Sequence, residues 1–216
     1  MDYSKGPTSE AQVDSDKFDA VLLGKNDLGS VHIHGPFGNK NSSVKIAYLI
    51  GMHPLESKSH RALFDSLISR NDLKYCYYLY NINVTDKTSE TEGRLEGQLL
   101  AQEFVAPHII GENYNFFVDI HSNRGSKGPG EYEITNFVFA PGFDANSTEY
   151  MDEILTEIPE LEYYAPEFRS SPPYITEPTA NAGIPTVVYE CYSYEDFSTT
   201  THLALKLVEC VDNLKF

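Results

Sequence analysis

Four residues of this chain have the types and spacing to bind a divalent metal ion and use it. His53 and Glu56 stand three apart in Gly51-Met52-His53-Pro54-Leu55-Glu56, directly after an apolar run. His121 follows a second apolar run, Phe116-Phe117-Val118-Asp119-Ile120, and Glu190 follows a third, Pro185-Thr186-Val187-Val188-Tyr189. Zinc takes nitrogen and oxygen donors tetrahedrally, and a catalytic zinc keeps one position open for water. His53, Glu56 and His121 would supply the three protein ligands. An ion held there acidifies water and polarises a carbonyl. Glu190, left free, could take the water's proton and pass it to a leaving amine.

Each residue also has an ordinary explanation. A carboxylate at a helix start is favoured by the helix dipole, so His-x-x-Glu alone is a common structural pattern. His121 alone could be a hydrogen-bonded strand-end histidine. Glu190 is harder to dismiss, because a carboxylate inside an apolar strand is costly unless it is paired. The signal lies in the order of the four and in their placement at strand ends.

The elements that must position them follow from periodicity. Short strands are expected over residues 20–23 and 30–34, and the near-continuous apolar run 44–50 reads as a strand covered on both faces. Residues 57–70 read as a helix with Leu63, Phe64, Leu67 and Ile68 on one stripe. Further strands are expected over 74–84, 115–120, 135–140 and 186–191, and helices over 92–105, 146–158 and 195–214. Residues 166–179 are proline-rich and read as a loop. This alternation predicts a single three-layer α/β/α domain with a mostly parallel or mixed central sheet. Ligands of such sheets gather at the carboxyl ends of the strands, where the four residues fall.

Residues 1–17 are polar and aperiodic and read as a flexible arm, leaving residues 18–216 as the folded domain. A length of 216 residues, 41% of them hydrophobic, suits one well-buried domain rather than two. The formal charge of −16 argues against nucleic acid and anionic membrane surfaces as partners. The amino-terminal stretch lacks the apolar core of a signal peptide, so the expected location is cytoplasmic. Cys76, Cys191 and Cys210 lack metal-type spacing and read as buried free thiols. Nothing in the sequence sets an oligomeric state.

The motif stretches resemble the zinc carboxypeptidase-type fold, in its succinylglutamate desuccinylase and aspartoacylase branch. That branch has Gly-x-His-x-x-Glu, a later Asp-(apolar)-His, and a glutamate at a still later strand end. The matching stretches here are Gly51 to Glu56, Asp119-Ile120-His121-Ser122 and Val188-Tyr189-Glu190. The resemblance covers most of the chain from Val44 onward. It implies hydrolysis of an amide bond, often next to a carboxylate-bearing amino acid. By matching position it makes His53, Glu56 and His121 ligands of Zn2+, and Glu190 the general base and acid. Two features differ from the family pattern. Pro54-Leu55 stands where the family usually has a small or polar pair, and no Asp-Asn-Arg signature follows Tyr80-Asn81-Ile82-Asn83.

A substrate carboxylate calls for a cation, and arginine's planar fork pairs both oxygens. Arg94, at the start of a predicted helix, and Asn123-Arg124, directly after His121, are the candidates, with Tyr192 as a further hydrogen-bonding contact. His32 and His34 share one face of a strand, expected to be a half-exposed edge. His60, four residues after Glu56, could orient that carboxylate. Asp119 is expected to brace the following loop. The leading reading is a metal-dependent amidohydrolase or carboxypeptidase-like enzyme acting on a small-molecule or peptide substrate. A second reading keeps the fold and the metal but not the turnover, as a catalytically inactive ligand-binding protein.

Overall fold

Apolar sequence on both faces decides which strands are central. The computed structural model describes residues 20–86, 92–128, 132–142, 144–167 and 170–216; the arm expected over 1–17 lies outside them. In chain order come β1 (Ala20–Asn26), β2 (Gly29–Gly38), β3 (Lys45–Ile50), α1 (Ser57–Ile68), β4 (Cys76–Val84) and α2 (Glu92–Leu100). A π-helical turn over Ala101–Val105 joins α2 to α3 (Ala106–Glu112). Then follow β5 (Phe116–Asn123), β6 (Phe137–Phe139), α4 (Ala145–Glu157), β7 (Glu162–Tyr163), α5 (Thr176–Asn181), β8 (Thr186–Tyr192) and α6 (Phe197–Asn213).

The strands form one mixed eight-stranded sheet in the order β1-β2-β4-β3-β5-β8-β6-β7. Its centre, β4-β3-β5-β8, is parallel, and β1, β2 and β6 each meet a neighbour antiparallel. All eight residues of β5 are buried, as are all but the first of β3, so helices must cover both faces. On one face α1, α4 and α6 pack Leu63, Leu67, Ile154, Leu207 and Val211 onto Tyr48, Phe116, Val118 and Val187. On the other, α2, the π turn and α3 pack Leu100, Val105 and Ile109 onto Ala47, Leu49, Tyr80 and Phe117. Each fully buried large side chain contributes roughly 1.5–3 kcal/mol, which makes this two-sided burial the main stabilising term. Near the C-terminal end of α6, Asp212 accepts the backbone N–H of Lys74 at 2.8 Å and the Tyr77 hydroxyl at 2.8 Å, fixing the helix to the start of β4. Cys76, Cys191 and Cys210 are free and buried, as expected from their apolar settings.

Two local expectations are corrected. Residues 166–179 are not loop throughout: Pro172–Tyr174 forms a 3-10 turn and α5 starts at Thr176. Strand β7 is two residues long, too short to show a period. His34 does not sit on a half-exposed edge, because β2 lies between β1 and β4 and the His34 side chain is fully buried. Its ring meets Phe64 edge-on at 5.5 Å, and neither ring nitrogen has a hydrogen-bond partner among the described residues.

Burial, with a smaller contribution from His32, lowers the His34 pKa to about 4. The folded pKa lies below the unfolded value of ~6.5, so between those values the unfolded chain binds a proton that the folded chain refuses. Stability from this residue is therefore complete above pH ~6.5 and lost as pH falls toward 4. His34→Phe should raise the thermal midpoint more at pH 5 than at pH 7. Equal shifts at both pH values, read by circular dichroism, would show that His34 does not titrate on unfolding.

Candidate metal centre

The site begins where β3 ends. Gly51 has φ +85°, and a Cβ on it would lie 2.0 Å from the Ile82 carbonyl oxygen, so only glycine lets the chain turn there. Met52 and His53 follow, both buried, and Pro54–Glu56 form a 3-10 turn. Pro54 occupies the first position of that turn, where a fixed φ helps and a missing N–H costs nothing. The Glu56 N–H donates to the His53 carbonyl at 3.1 Å, which folds the carboxylate back over the imidazole. The departure at Pro54-Leu55 thus has a local role in shaping the turn between the two residues.

His121 and Glu190 arrive through register. They are paired residues of the parallel strands β5 and β8, one strand spacing apart on the same face of the sheet. His121 lies inside its strand rather than just past the end, because β5 runs three residues beyond the expected 120; Glu190 lies inside β8, which ends at Tyr192, one residue beyond the expected 191.

Glu56 joins the groups. Its Oε1 lies 2.9 Å from His53 Nδ1 and its Oε2 lies 3.0 Å from His121 Nδ1. The Ser122 N–H also donates to Oε2 at 3.1 Å. The two imidazole centroids are 4.5 Å apart, and one donor atom from each of the three residues falls within 4.8 Å of the others. All three side chains are buried. Two imidazole nitrogens and a carboxylate converging from one side form a donor set suited to zinc, with the remaining side facing a cavity.

The electrostatics are those of a compact charge relay. Burial opposes charge on Glu56, but the two imidazoles outweigh it and hold its pKa well below the usual range. Burial likewise opposes charge on His121, yet Asp119 and Glu56 raise its pKa well above the ordinary value. His53 is driven down to about 3 by burial, with Arg94 and His121 adding to the effect against Glu56. It is therefore uncharged at neutral pH, with one ring nitrogen carrying a lone pair that a metal could take.

Asp119 corrects an expectation. Instead of bracing the loop, it places Oδ2 3.0 Å from His121 Nε2, so His121 stands between two carboxylates. The period-2 alternation of a strand puts residues 119 and 121 on one face, and that signal could have found it. His60 is also buried, but bonds to the Ile120 backbone rather than to the Glu56 carboxylate; burial lowers its pKa to about 4.

The cavity beside the trio is lined by Arg94, Ser122, Asn123, Arg124, Tyr132, Glu190 and Ser193, among others. Burial pushes Glu190 up to about 8, opposed by His121 and reinforced by Glu56. The Asn123 amide donates to Glu190 Oε2 at 3.2 Å and to the Thr135 carbonyl at 2.9 Å, which orients the carboxylate. Of the proposed substrate contacts, Arg94, Asn123 and Arg124 reach the cavity. Tyr192 is not among its lining residues and packs near Gly125 and Tyr194. The neighbouring thiol of Cys191 is pushed well up by burial and is not a reactive thiolate.

Two residues beside the site carry no signal in the sequence. Gln98 places Nε2 3.4 Å from His53 Nε2 and 2.9 Å from Ser170 Oγ. Tyr132 lines the cavity from the segment between β5 and β6, its ring edge-on to Phe137. Gln98 depends on a close approach of α2. A Cβ on Gly97 would stand 1.8 Å from the Met52 carbonyl oxygen, so the helix rests directly on the backbone before His53.

No protein-family model matches this sequence, and no curated protein is recognisably similar to it. Solved structures are similar in fold. A metallo-carboxypeptidase from Burkholderia cenocepacia superposes with a TM-score of 0.60 at 13% identity, covering 90% of this chain and 64% of that one. For a metallo-carboxypeptidase from Pseudomonas aeruginosa the TM-score is 0.57 at 14% identity, with 85% and 60% covered. A candidate metallopeptidase from Shewanella denitrificans gives 0.57 at 11% identity, with 89% and 82% covered. The chain has the metallo-carboxypeptidase fold, and it spans less than two thirds of the length of the first two of these proteins.

Helix propensity alone would make Gly97→Ala stabilising by up to ~1 kcal/mol. The contact with Met52 reverses the sign, and the substitution should destabilise by roughly 1–3 kcal/mol through overpacking. Denaturant unfolding decides between them, and a stabilised Gly97→Ala would contradict the close approach.

Proposed function

We propose that this chain is a zinc-dependent hydrolase of the succinylglutamate desuccinylase and aspartoacylase kind. Its substrate would be an N-acyl amino acid or small peptide, cut at an amide bond near a carboxylate. The observation that carries this reading is the Glu56 carboxylate shared between Nδ1 of His53 and Nδ1 of His121, with Glu190 in the same cavity.

His53, Glu56 and His121 would hold the zinc, with Asp119 bracing His121 from its outer nitrogen. Bound there, zinc would polarise the scissile carbonyl, acidify water and, as a nearby positive charge, draw the Glu190 pKa down from about 8. Glu190 takes a proton from the attacking water on its carboxylate and returns it to the leaving nitrogen. A group titrating near neutrality suits both halves of that transfer. Asn123 holds Glu190 in place, and its amide cannot compete for the proton.

Arg94 and Arg124 supply cations to the cavity of an otherwise acidic chain, the chemistry that a substrate carboxylate needs. The Pseudomonas aeruginosa structure holds (2-guanidinoethylmercapto)succinic acid, a dicarboxylate, which agrees with an anionic substrate for this fold.

Glu190→Gln keeps the shape and removes the proton acceptor. Its turnover of N-acetylated amino acids and dipeptides should fall by at least ~10²-fold, the scale of general acid–base catalysis, with zinc still bound. Full activity in this variant would remove Glu190 from the mechanism.

A further inference from the structure

We infer that Gln98 is a positioning residue of the metal centre: its side-chain oxygen accepts the Nε2–H of His53 and so holds that ring with Nδ1 turned to the metal. The inference rests on the hydrolase reading above and gives His53 an outer partner, as Asp119 is the outer partner of His121.

Both rings turn the same nitrogen inward. Glu56 sets one oxygen 2.9 Å from Nδ1 of His53 and the other 3.0 Å from Nδ1 of His121, so Nδ1 of each ring faces the shared position. A neutral imidazole that gives the lone pair of Nδ1 to a metal carries its proton on Nε2. That N–H is a donor, and in a buried ring it needs an acceptor. For His121 the acceptor is Asp119 Oδ2, 3.0 Å from Nε2. For His53, 4% exposed, the group beyond Nε2 is the Gln98 amide, 3.4 Å away and itself 3% exposed. Arg94 lies against the same ring, but a guanidinium has no acceptor to offer.

An amide meets the need. A half-turn about its last bond exchanges oxygen and nitrogen in the same space, so Gln98 presents Oε1 to His53 without any movement of α2. Ser170 Oγ, 2.9 Å from that end of the amide, is satisfied either way, because a hydroxyl donates or accepts by rotation. The backbone sets the placement: Gly97 lets α2 rest on the Met52 carbonyl, which brings residue 98 within reach of His53. The two imidazoles then have unlike supports. Asp119 is a carboxylate and makes His121 the more basic ligand, whereas Gln98 orients His53 without adding charge.

The test is a zinc titration of the full chain against a chromophoric chelator, for the wild type, Gln98→Leu and Gln98→Glu, with each fold checked by circular dichroism. Gln98→Leu offers His53 no acceptor and should bind zinc about 10- to 100-fold more weakly, the usual cost of losing an outer partner. Gln98→Glu keeps an acceptor and loses the donor, and should bind at least as tightly as the wild type. An amide that donated to His53, or merely filled space, would leave Gln98→Glu no better than Gln98→Leu. That result, or wild-type affinity in Gln98→Leu, overturns the inference and leaves the hydrolase reading standing. If neither variant folds, the histidine nitrogen NMR spectrum of the zinc-loaded wild type carries the test. His53 should be protonated at Nε2, with that proton slow to exchange; a proton on Nδ1 overturns the inference. No zinc binding by the wild type overturns the hydrolase reading, and the inference with it.

Discussion

A single carboxylate divided between two imidazoles organises this protein. Glu56 is 7% exposed, and a buried anion costs several kcal/mol unless its oxygens are fully engaged. Each oxygen meets an imidazole Nδ1, and one also takes the Ser122 N–H. The compensation extends outward through His121 to Asp119, so negative and positive groups alternate along the row Asp119, His121, Glu56. Removing one member leaves its neighbours charged and buried, the costly case for such pairs.

That arrangement demands a particular framework. His53 and Glu56 must come from one tight turn, which Gly51 and Pro54 shape. His121 must stand beside that turn, which the parallel pairing of β3 with β5 achieves by setting Leu49 opposite Asp119. Glu190 must be near His121 without joining the carboxylate. The pairing of β5 with β8 sets it one strand spacing away, ~4.8 Å for neighbouring strands. Glu190 then lines the same cavity as the trio, and burial keeps its proton affinity high. Helix α2 closes the other side with Arg94 and Gln98. Fold and chemistry are thus joined at the ends of three adjacent parallel strands.

Much of this was legible in the residues. His53, Glu56, His121 and Glu190 each adjoin an apolar run, and apolar runs report buried parallel strands faithfully. What periodicity could not report was tertiary approach. Gln98 reads as an ordinary helical polar residue until Gly97 is seen resting on Met52. Tyr132 comes from a segment with no period of its own. The burial of His34 has no local signal, because nothing in its own segment says that β1 covers the flank of β2, and β7 and α5 are too short to show a pattern. Asp119 does carry a signal, since alternation along β5 sets it on the His121 face.

The central claim is that His53, Glu56 and His121 hold a metal ion. Elemental analysis of the purified chain after zinc is supplied and excess removed tests it most directly, beside a His121→Ala variant whose fold is checked by circular dichroism. The account predicts about one zinc per chain, lost in the folded variant. A wild-type chain that retains no zinc, or a His121→Ala chain that retains as much, would contradict it.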